Sequence, residues 1–168
     1  MSKFTPRSAQ GGFTLIELVV VIVILGILAA FAVPRFARLD AQARASSVRS
    51  LEGSLRSATT MTHGLWLAAG NNPGTVAVEG GVNVAMNVAG FPTAAANGVR
   101  VALDPGTYSP ALAGNGAIAG RFVTAVNGAA MEFRIVGAPN GSNGCMVSYT
   151  PPAAVNGLPV WATNVAAC

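Results

Sequence analysis

The run Phe13–Val33, FTLIELVVVIVILGILAAFAV, carries one charged residue, Glu17. A helix over this run is apolar on every side, so it needs lipid or other apolar helices around it. At ~1.5 Å per residue its length matches a hydrocarbon core of ~30 Å. A carboxylate at the bilayer centre costs roughly 2.5–3.5 kcal/mol on insertion scales, so an acid inside such a run marks function. The bland alternative is that Glu17, one turn into the run, snorkels to the interface and does nothing more.

Helical signals continue without a break from the run to Trp66. Val48, Leu51, Leu55, Ala58, Thr62 and Leu65 recur at steps of three and four, which draws one apolar seam down a helix; Arg44, Arg49 and Arg56 fall outside it. The cluster AAGNNPG ends the helix. Beyond it the period changes to two. Val82, Val84, Met86 and Val88 alternate with small or polar residues, and RFVTAVNGAAMEFRIVGA reads as two strands around an Asn-Gly turn. CMVSYT and LPVWATNVAAC supply two more strands, and long loops are expected over 70–81 and 104–120. The expected fold is α+β: a long N-terminal helix packed by its second half on a C-terminal four-stranded antiparallel sheet.

The chain has 168 residues, enough for one domain with a real core, and a formal net charge of +4. The cations are dispersed. Lys3 and Arg7 precede the run, five arginines follow along the helix, and from residue 57 onward three arginines balance three acids. A nucleic-acid face would be densely basic with interleaved aromatics, and no such pattern occurs, so no direct nucleic-acid partner is expected.

The parts for enzyme chemistry are also missing. The one histidine, His63, is expected to cap the last helix carbonyls or to be solvated. Asp104, Glu79 and Glu132 are isolated in sequence. Asp104 reads as a turn residue, and Glu132 with Arg134 reads as a solvated pair on one strand face. Trp66 and Trp161 are expected to pack between helix and sheet. The sequence NGS at Asn140 is a formal glycosylation acceptor of a kind that arises by chance. No catalytic residue, cofactor or metal site is expected. Cys145 and Cys168 are too far apart, with no histidine nearby, to hold zinc. They are either two unrelated buried thiols or, behind an export signal, a bridge. A cysteine on the last residue is poorly placed for a core, which favours the bridge. Closing a loop of this length contributes on the order of 3 kcal/mol.

Two kinds of processing fit the N-terminal segment. A secretory signal would be cut at Ala30-Phe31-Ala32 and release a soluble binding domain beginning at Val33, but an acid bordering the apolar centre of such a signal is unusual. The other reading is a resemblance: GGFTLIELVVVIVILGILAAFAVPRF is similar to the N-terminal signature of type IV pilins and their pseudopilin relatives. Gly12 matches the small residue before the cut, Phe13 the aromatic after it, and Glu17 the glutamate four residues on. Gly26 and Pro34 match the glycine and proline spaced along the family's helix. The order of parts that follows (long helix, variable loop, antiparallel sheet, disulfide-bounded C-terminal segment) is also the family's. GFPTAAANGV with CMVSYT and PVWATNVAAC looks most like the mannose-sensitive-haemagglutinin type of pilin.

The resemblance implies a division into a leader removed at 1–12, a transmembrane and polymerisation helix at 13–33, its amphipathic half at 34–66, and a globular head at 67–168. It implies cleavage between Gly12 and Phe13 by a prepilin peptidase, N-methylation of Phe13, and assembly involving Phe13, Glu17, Gly26 and Pro34, with Cys145 and Cys168 bridged. The implied partners are further copies of the chain and an inner-membrane assembly machinery driven by a cytoplasmic ATPase. The chain would then be a structural subunit of a type IV pilus, held in the bacterial inner membrane before assembly and extracellular after it. Flanking charge is nearly silent on orientation, since Lys3 and Arg7 face Arg35 and Arg38 across the run; the peptidase reading places the leader inside. A pseudopilin of a type II secretion system shares the whole N-terminal signature. Its major form often has a calcium-binding C-terminal loop instead of a disulfide, so the two cysteines favour the pilus.

Overall fold

The computed structural model describes residues 12–70, 74–104, 117–118, 121–138 and 144–168. Two compact units divide the chain, Met1–Asp40 and Ala41–Cys168.

Helix α1, Leu15–Ala68, runs through both. Its first half is rich in Val and Ile, which are middling helix formers in water. In an apolar phase the backbone has no water to bond, and a helix satisfies every peptide group within the segment. Pro34 lies inside the helix and lacks the N–H that would bond the carbonyl one turn back. The C-terminus closes where Gly70 takes a φ of +92°, a left-handed conformation that glycine adopts without strain.

In the second unit α1 buries Val48, Leu51, Leu55, Thr59, Thr62 and Trp66. The expected seam therefore holds at Val48, Leu51, Leu55 and Thr62 and drifts at Ala58 and Leu65. Ala58 is half-buried, Leu65 is 39% exposed, and Thr59 and Trp66 take the inner positions. A strict alternation of three and four advances too slowly for a helix of about 3.6 residues per turn, so over several turns the buried stripe moves one residue on. The threonines in this stripe cost little to bury. Thr59 Oγ1 donates to the Leu55 carbonyl and Thr62 Oγ1 to that of Ala58, each at 2.9 Å.

After the helix, β1 (Thr75–Ala77) and β2 (Asn83–Ala85) pair antiparallel around a 3₁₀ turn at Glu79–Gly81, with Val76 opposite Val84. The span 70–81 is thus not one long loop, as expected. Its alternation of Val76 and Val78 with smaller residues is short but real strand patterning. Val88 leaves the expected strand: Asn87 starts a turn, its Oδ1 accepting the N–H groups of Ala89 and Phe91, and Val88 stands exposed on it. The short helix α2, Val99–Leu103, was not expected, because five residues are too few to show a period.

The main sheet has the antiparallel order β3-β4-β5-β6-β7, with β3 at Ala117–Ile118, β4 at Phe122–Asn127, β5 at Ala130–Ile135, β6 at Met146–Thr150 and β7 at Val160–Asn164. Four of these are the expected strands, and β3 adds a two-residue edge. The rest of the loop expected over 104–120 lies largely outside the described residues. Asn127 pairs with Ala130, so the hairpin turn centres on Gly128-Ala129, with Gly128 at φ +59°. The glycine takes the first central position of a tight turn, and Asn127 remains in the strand. The sheet's inner face packs Phe122, Met131, Phe133, Val147 and Tyr149 against Val48, Leu51 and Leu55 of α1. A second cluster gathers Trp66 under Val76, Val78, Val84, Met86, Val101 and Ala102. Trp66 therefore packs against the small hairpin, while Trp161 packs on Tyr149 of the main sheet, ring centroids 4.7 Å apart.

Candidate assembly surface

Phe13, Thr14 and the first turns of α1 hold the residues that the sequence singles out. Phe13 is 93% exposed, and every large apolar side chain from Leu15 to Leu39 is exposed within its unit. A helix that is apolar all round and left uncovered by the described residues of its own unit needs other apolar groups or lipid to cover it. By length and hydropathy the described part of α1 can cross a membrane.

Glu17 begins this surface in a local arrangement that the spacing announces. Thr14 precedes the first helical residue, and Glu17 stands three further on. The Thr14 N–H and hydroxyl donate to Glu17 Oε2 at 3.2 and 3.0 Å, and the Glu17 N–H donates to Thr14 Oγ1 at 3.3 Å. This is a capping box, in which a threonine and a glutamate satisfy each other's unpaired helix-start donors. The negative charge also lies at the positive end of the helix dipole. Thr14 is the residue that the reading of the run as a spacing of Gly12, Phe13 and Glu17 passes over. Its signal was the pattern Thr-x-x-Glu ahead of an apolar stretch.

Gly26 and Pro34 are spread along α1 and are not gathered with Glu17 into a cluster. A side chain at Gly26 would meet nothing within 4 Å. Cys145 and Cys168 are bonded, with an S–S distance of 2.02 Å, and both are buried in the main core. The bond holds Cys168 in the core that Ala45 of α1 packs against, and both residues line one cavity.

Two expectations about polar groups are corrected. His63 neither caps the helix nor stands in solvent. Its Nδ1 lies 2.7 Å from the Gly90 carbonyl oxygen, and its ring stacks on Phe91 at 4.2 Å, because the turn after Asn87 folds back over the helix. Glu132 is not solvated either; it is 6% exposed. Arg134 donates to Glu132 Oε2 and Asn127 Nδ2 to Oε1. Burial pushes this carboxyl up, but the two donors outweigh it and hold it below the usual range. Such a neutralised pair is a structural feature of the sheet face, not a site for chemistry. Among the described residues no group of three or more His, Cys, Asp or Glu could hold a metal ion. Asn140 lies outside the described residues.

A family profile described as the prokaryotic N-terminal methylation motif matches residues 7–33. A type IV major pilin protein of Neisseria gonorrhoeae is 46% identical over 74 residues, 42% of this chain and 34% of that protein. A type IV major fimbrial protein of Dichelobacter nodosus is 48% identical over 52 residues, 31% of this chain and 33% of the relative. A type IV narrow pilus major component of Thermus thermophilus is 57% identical over 47 residues, 28% of this chain and 40% of its own length. The chain thus spans about a third of the length of the curated relatives it matches. No solved structure matches significantly. Over its N-terminal segment the chain is thus similar to type IV pilins, and its structure sets one long helix ahead of an antiparallel sheet.

Proposed function

We propose that the chain is a structural subunit of a type IV pilus, without enzymatic activity, that polymerises through α1. The observation that carries this reading is the uncovered apolar half of α1, opened by one capped carboxylate that lies within a methylation motif. Cleavage after Gly12 by a prepilin peptidase would give Phe13 a free amine, which is then methylated. Residues four apart lie one turn from each other on one helix face, so this ammonium and Glu17 would share the helix start. In a staggered packing of helices, Glu17 of one copy meets the Phe13 ammonium of the next in a dry environment. An unpaired charge there is costly, so the pairing selects register more than it adds stability.

Apolar burial between helices contributes about 25 cal/mol per Å² against water, but little against lipid, which is equally apolar. Extraction from the inner membrane into an extracellular fibre therefore needs work, which a cytoplasmic ATPase of the assembly machinery would supply. The finer likeness to the mannose-sensitive-haemagglutinin type rests on two stretches that meet in the head, where Tyr149 Oη donates to the Pro92 carbonyl at 2.7 Å.

Mass spectrometry of the exported protein tests the processing. A methylated Phe13 start supports the proposal, whereas a start at Val33 means a secreted soluble domain. Electron microscopy then tests the assembly. Surface fibres should vanish on deletion and fail to form with Glu17→Ala. Fibres that assemble as efficiently with Glu17→Ala would defeat the register role, and a deletion that blocks protein secretion while leaving fibres intact would point to a pseudopilin.

A further inference from the structure

Two cavities in the second unit, of about 620 and 330 Å³, adjoin at the shared wall residues His63, Phe91 and Leu158 and are treated together as one cleft. It lies between the C-terminal turns of α1, the turn after Asn87 and the turn before Pro159. Its size is that of small-molecule sites, roughly 300–1,000 Å³. We propose that this cleft binds a flat, uncharged aromatic ring carrying one N–H or O–H donor, the side-chain chemistry of tryptophan or tyrosine. The proposal goes beyond the filament reading and does not depend on it.

The cleft is built in advance. Asn87 ties both of its lips: Oδ1 accepts the N–H groups of Ala89 and Phe91 at 3.0 and 2.9 Å, and Nδ2 donates to the Pro152 carbonyl at 2.7 Å. On the far lip Asn156 takes a φ of +66°, the only left-handed residue other than glycine among those described. Three bulky aliphatic side chains surround the mouth. Leu158 is 79% exposed, and Val155 and Val88 stand nearly as open. They remain in water although the fold beneath them is packed.

The lining selects the ligand. His63, Trp66, Phe91 and Trp161 supply ring walls, so a planar apolar ligand is favoured. Arg56, the cleft's cation, is paired with Glu52 at 2.7 Å and lies over Trp161, so the site offers no free charge. Because the Gly90 carbonyl can only accept, His63 Nδ1 bears the donated proton, and in the neutral ring Nε2 is left as an acceptor. Beside the Thr59, Thr60 and Asn156 side chains, which are the other polar uncharged groups of the lining, this ring-bound acceptor suits an aromatic ligand with a donor. A sugar, whose hydroxyls each need partners, meets aliphatic lips instead.

The test uses the full chain in lipid nanodiscs, with empty discs subtracted and saturation-transfer NMR as the readout. Indole should bind saturably, and benzothiophene, which lacks the N–H, about tenfold more weakly. Leu158→Asp puts a charge at the exposed mouth and should lower indole affinity at least about tenfold. His63→Phe keeps the stack but removes the acceptor, and should make indole and benzothiophene bind alike. N-acetyltryptophan amide binding more tightly than indole identifies a side chain on a partner polypeptide as the source, and equal binding identifies a free aromatic. No saturation above empty discs overturns the proposal, as does equal binding of benzothiophene to the unmodified chain, an unaltered affinity in Leu158→Asp, or tighter binding of a methyl pyranoside. If His63→Phe does not fold, Leu158→Asp decides alone.

Discussion

The hydroxyl of Thr163, on the edge strand β7, donates to Glu52 Oε2 on α1 at 2.7 Å. The other carboxylate oxygen accepts two hydrogen bonds from Arg56, whose guanidinium lies 5.2 Å above the Trp161 ring, also on β7. An edge strand with mostly exposed side chains buries too little to hold itself down. Here one carboxylate ties it to the helix.

Acid should loosen this tie. Thr163 first, then Arg56, holds the Glu52 carboxyl below its ordinary value of 4.5. With the folded pKa lower than the unfolded one, the stability it brings is complete above pH 4.5 and is lost as pH falls through the folded value. Thr163→Val removes the largest cause and should cost about 1 kcal/mol at neutral pH. The gap between the two proteins should shrink when the pH is taken from neutral down through the folded pKa of Glu52, below 4.5, as the carboxyl protonates. Urea unfolding followed by tryptophan fluorescence across this pH range measures this, and a gap independent of pH would show that the hydroxyl does not act through the carboxylate.

The capping box makes a second expectation local to the start of α1. Thr14→Val keeps the shape but removes the hydroxyl that accepts the Glu17 N–H, at a cost of about 1 kcal/mol. The Glu17 amide should then exchange with solvent deuterium about fivefold faster in nanodiscs, and Thr14→Ser should restore protection. Unchanged exchange in the valine variant would mean that the helix start is held by other means.

Legibility followed the length and regularity of each pattern. The run Phe13–Val33 announced its element because no soluble packing tolerates it, and the strands around Gly128 because alternation and a turn residue agree. The helix seam was readable as far as Thr62, with Ala58 only half-buried, and wrong by one residue at Leu65, since a 3.5-residue rule and a 3.6-residue helix separate with distance. His63 was misread because its partners, Gly90 and Phe91, come from a turn far along the chain that no local period reveals. Glu132 was misread for a related reason. Its burial depends on Asn127 across a hairpin whose exact centre shifted by one residue. In the assembly surface, the spacing of Phe13 and Glu17 was visible, while the part of Thr14 lies in hydrogen bonds to Glu17 that an uncharged residue does not advertise.

The disulfide should carry a large share of the head's stability. Cys145 and Cys168 are 23 residues apart, and β6 and β7 lie between them. Cross-linking a loop of this size contributes roughly 2–4 kcal/mol, chiefly by restricting the unfolded chain. Cys145→Ala with Cys168→Ala should lower the unfolding free energy by about that amount. Added reductant should no longer matter to the double variant. A double variant as stable as the parent would place the C-terminal segment's order in its strand pairing alone.

Two glycines should respond to alanine with opposite signs. Gly64 lies within α1 at an exposed position, and an added Cβ would meet nothing within 4 Å. Alanine there relieves the entropy that a helical glycine costs, so Gly64→Ala should stabilise by about 0.5–1 kcal/mol. Gly90 has a φ of +75°, and its Cβ would fall 2.3 Å from Cε3 of Trp66, a ring fixed in the second core cluster. Overpacking and the left-handed backbone together should make Gly90→Ala lose at least about 2 kcal/mol. The same change would pull the Gly90 carbonyl from His63 and separate Phe91 from the imidazole. Thermal melts of the two variants, with Trp66 emission as a second probe, therefore report different things. A rise for Gly64→Ala with no fall for Gly90→Ala would mean that the turn after Asn87 is not seated on the helix as the ring contacts require.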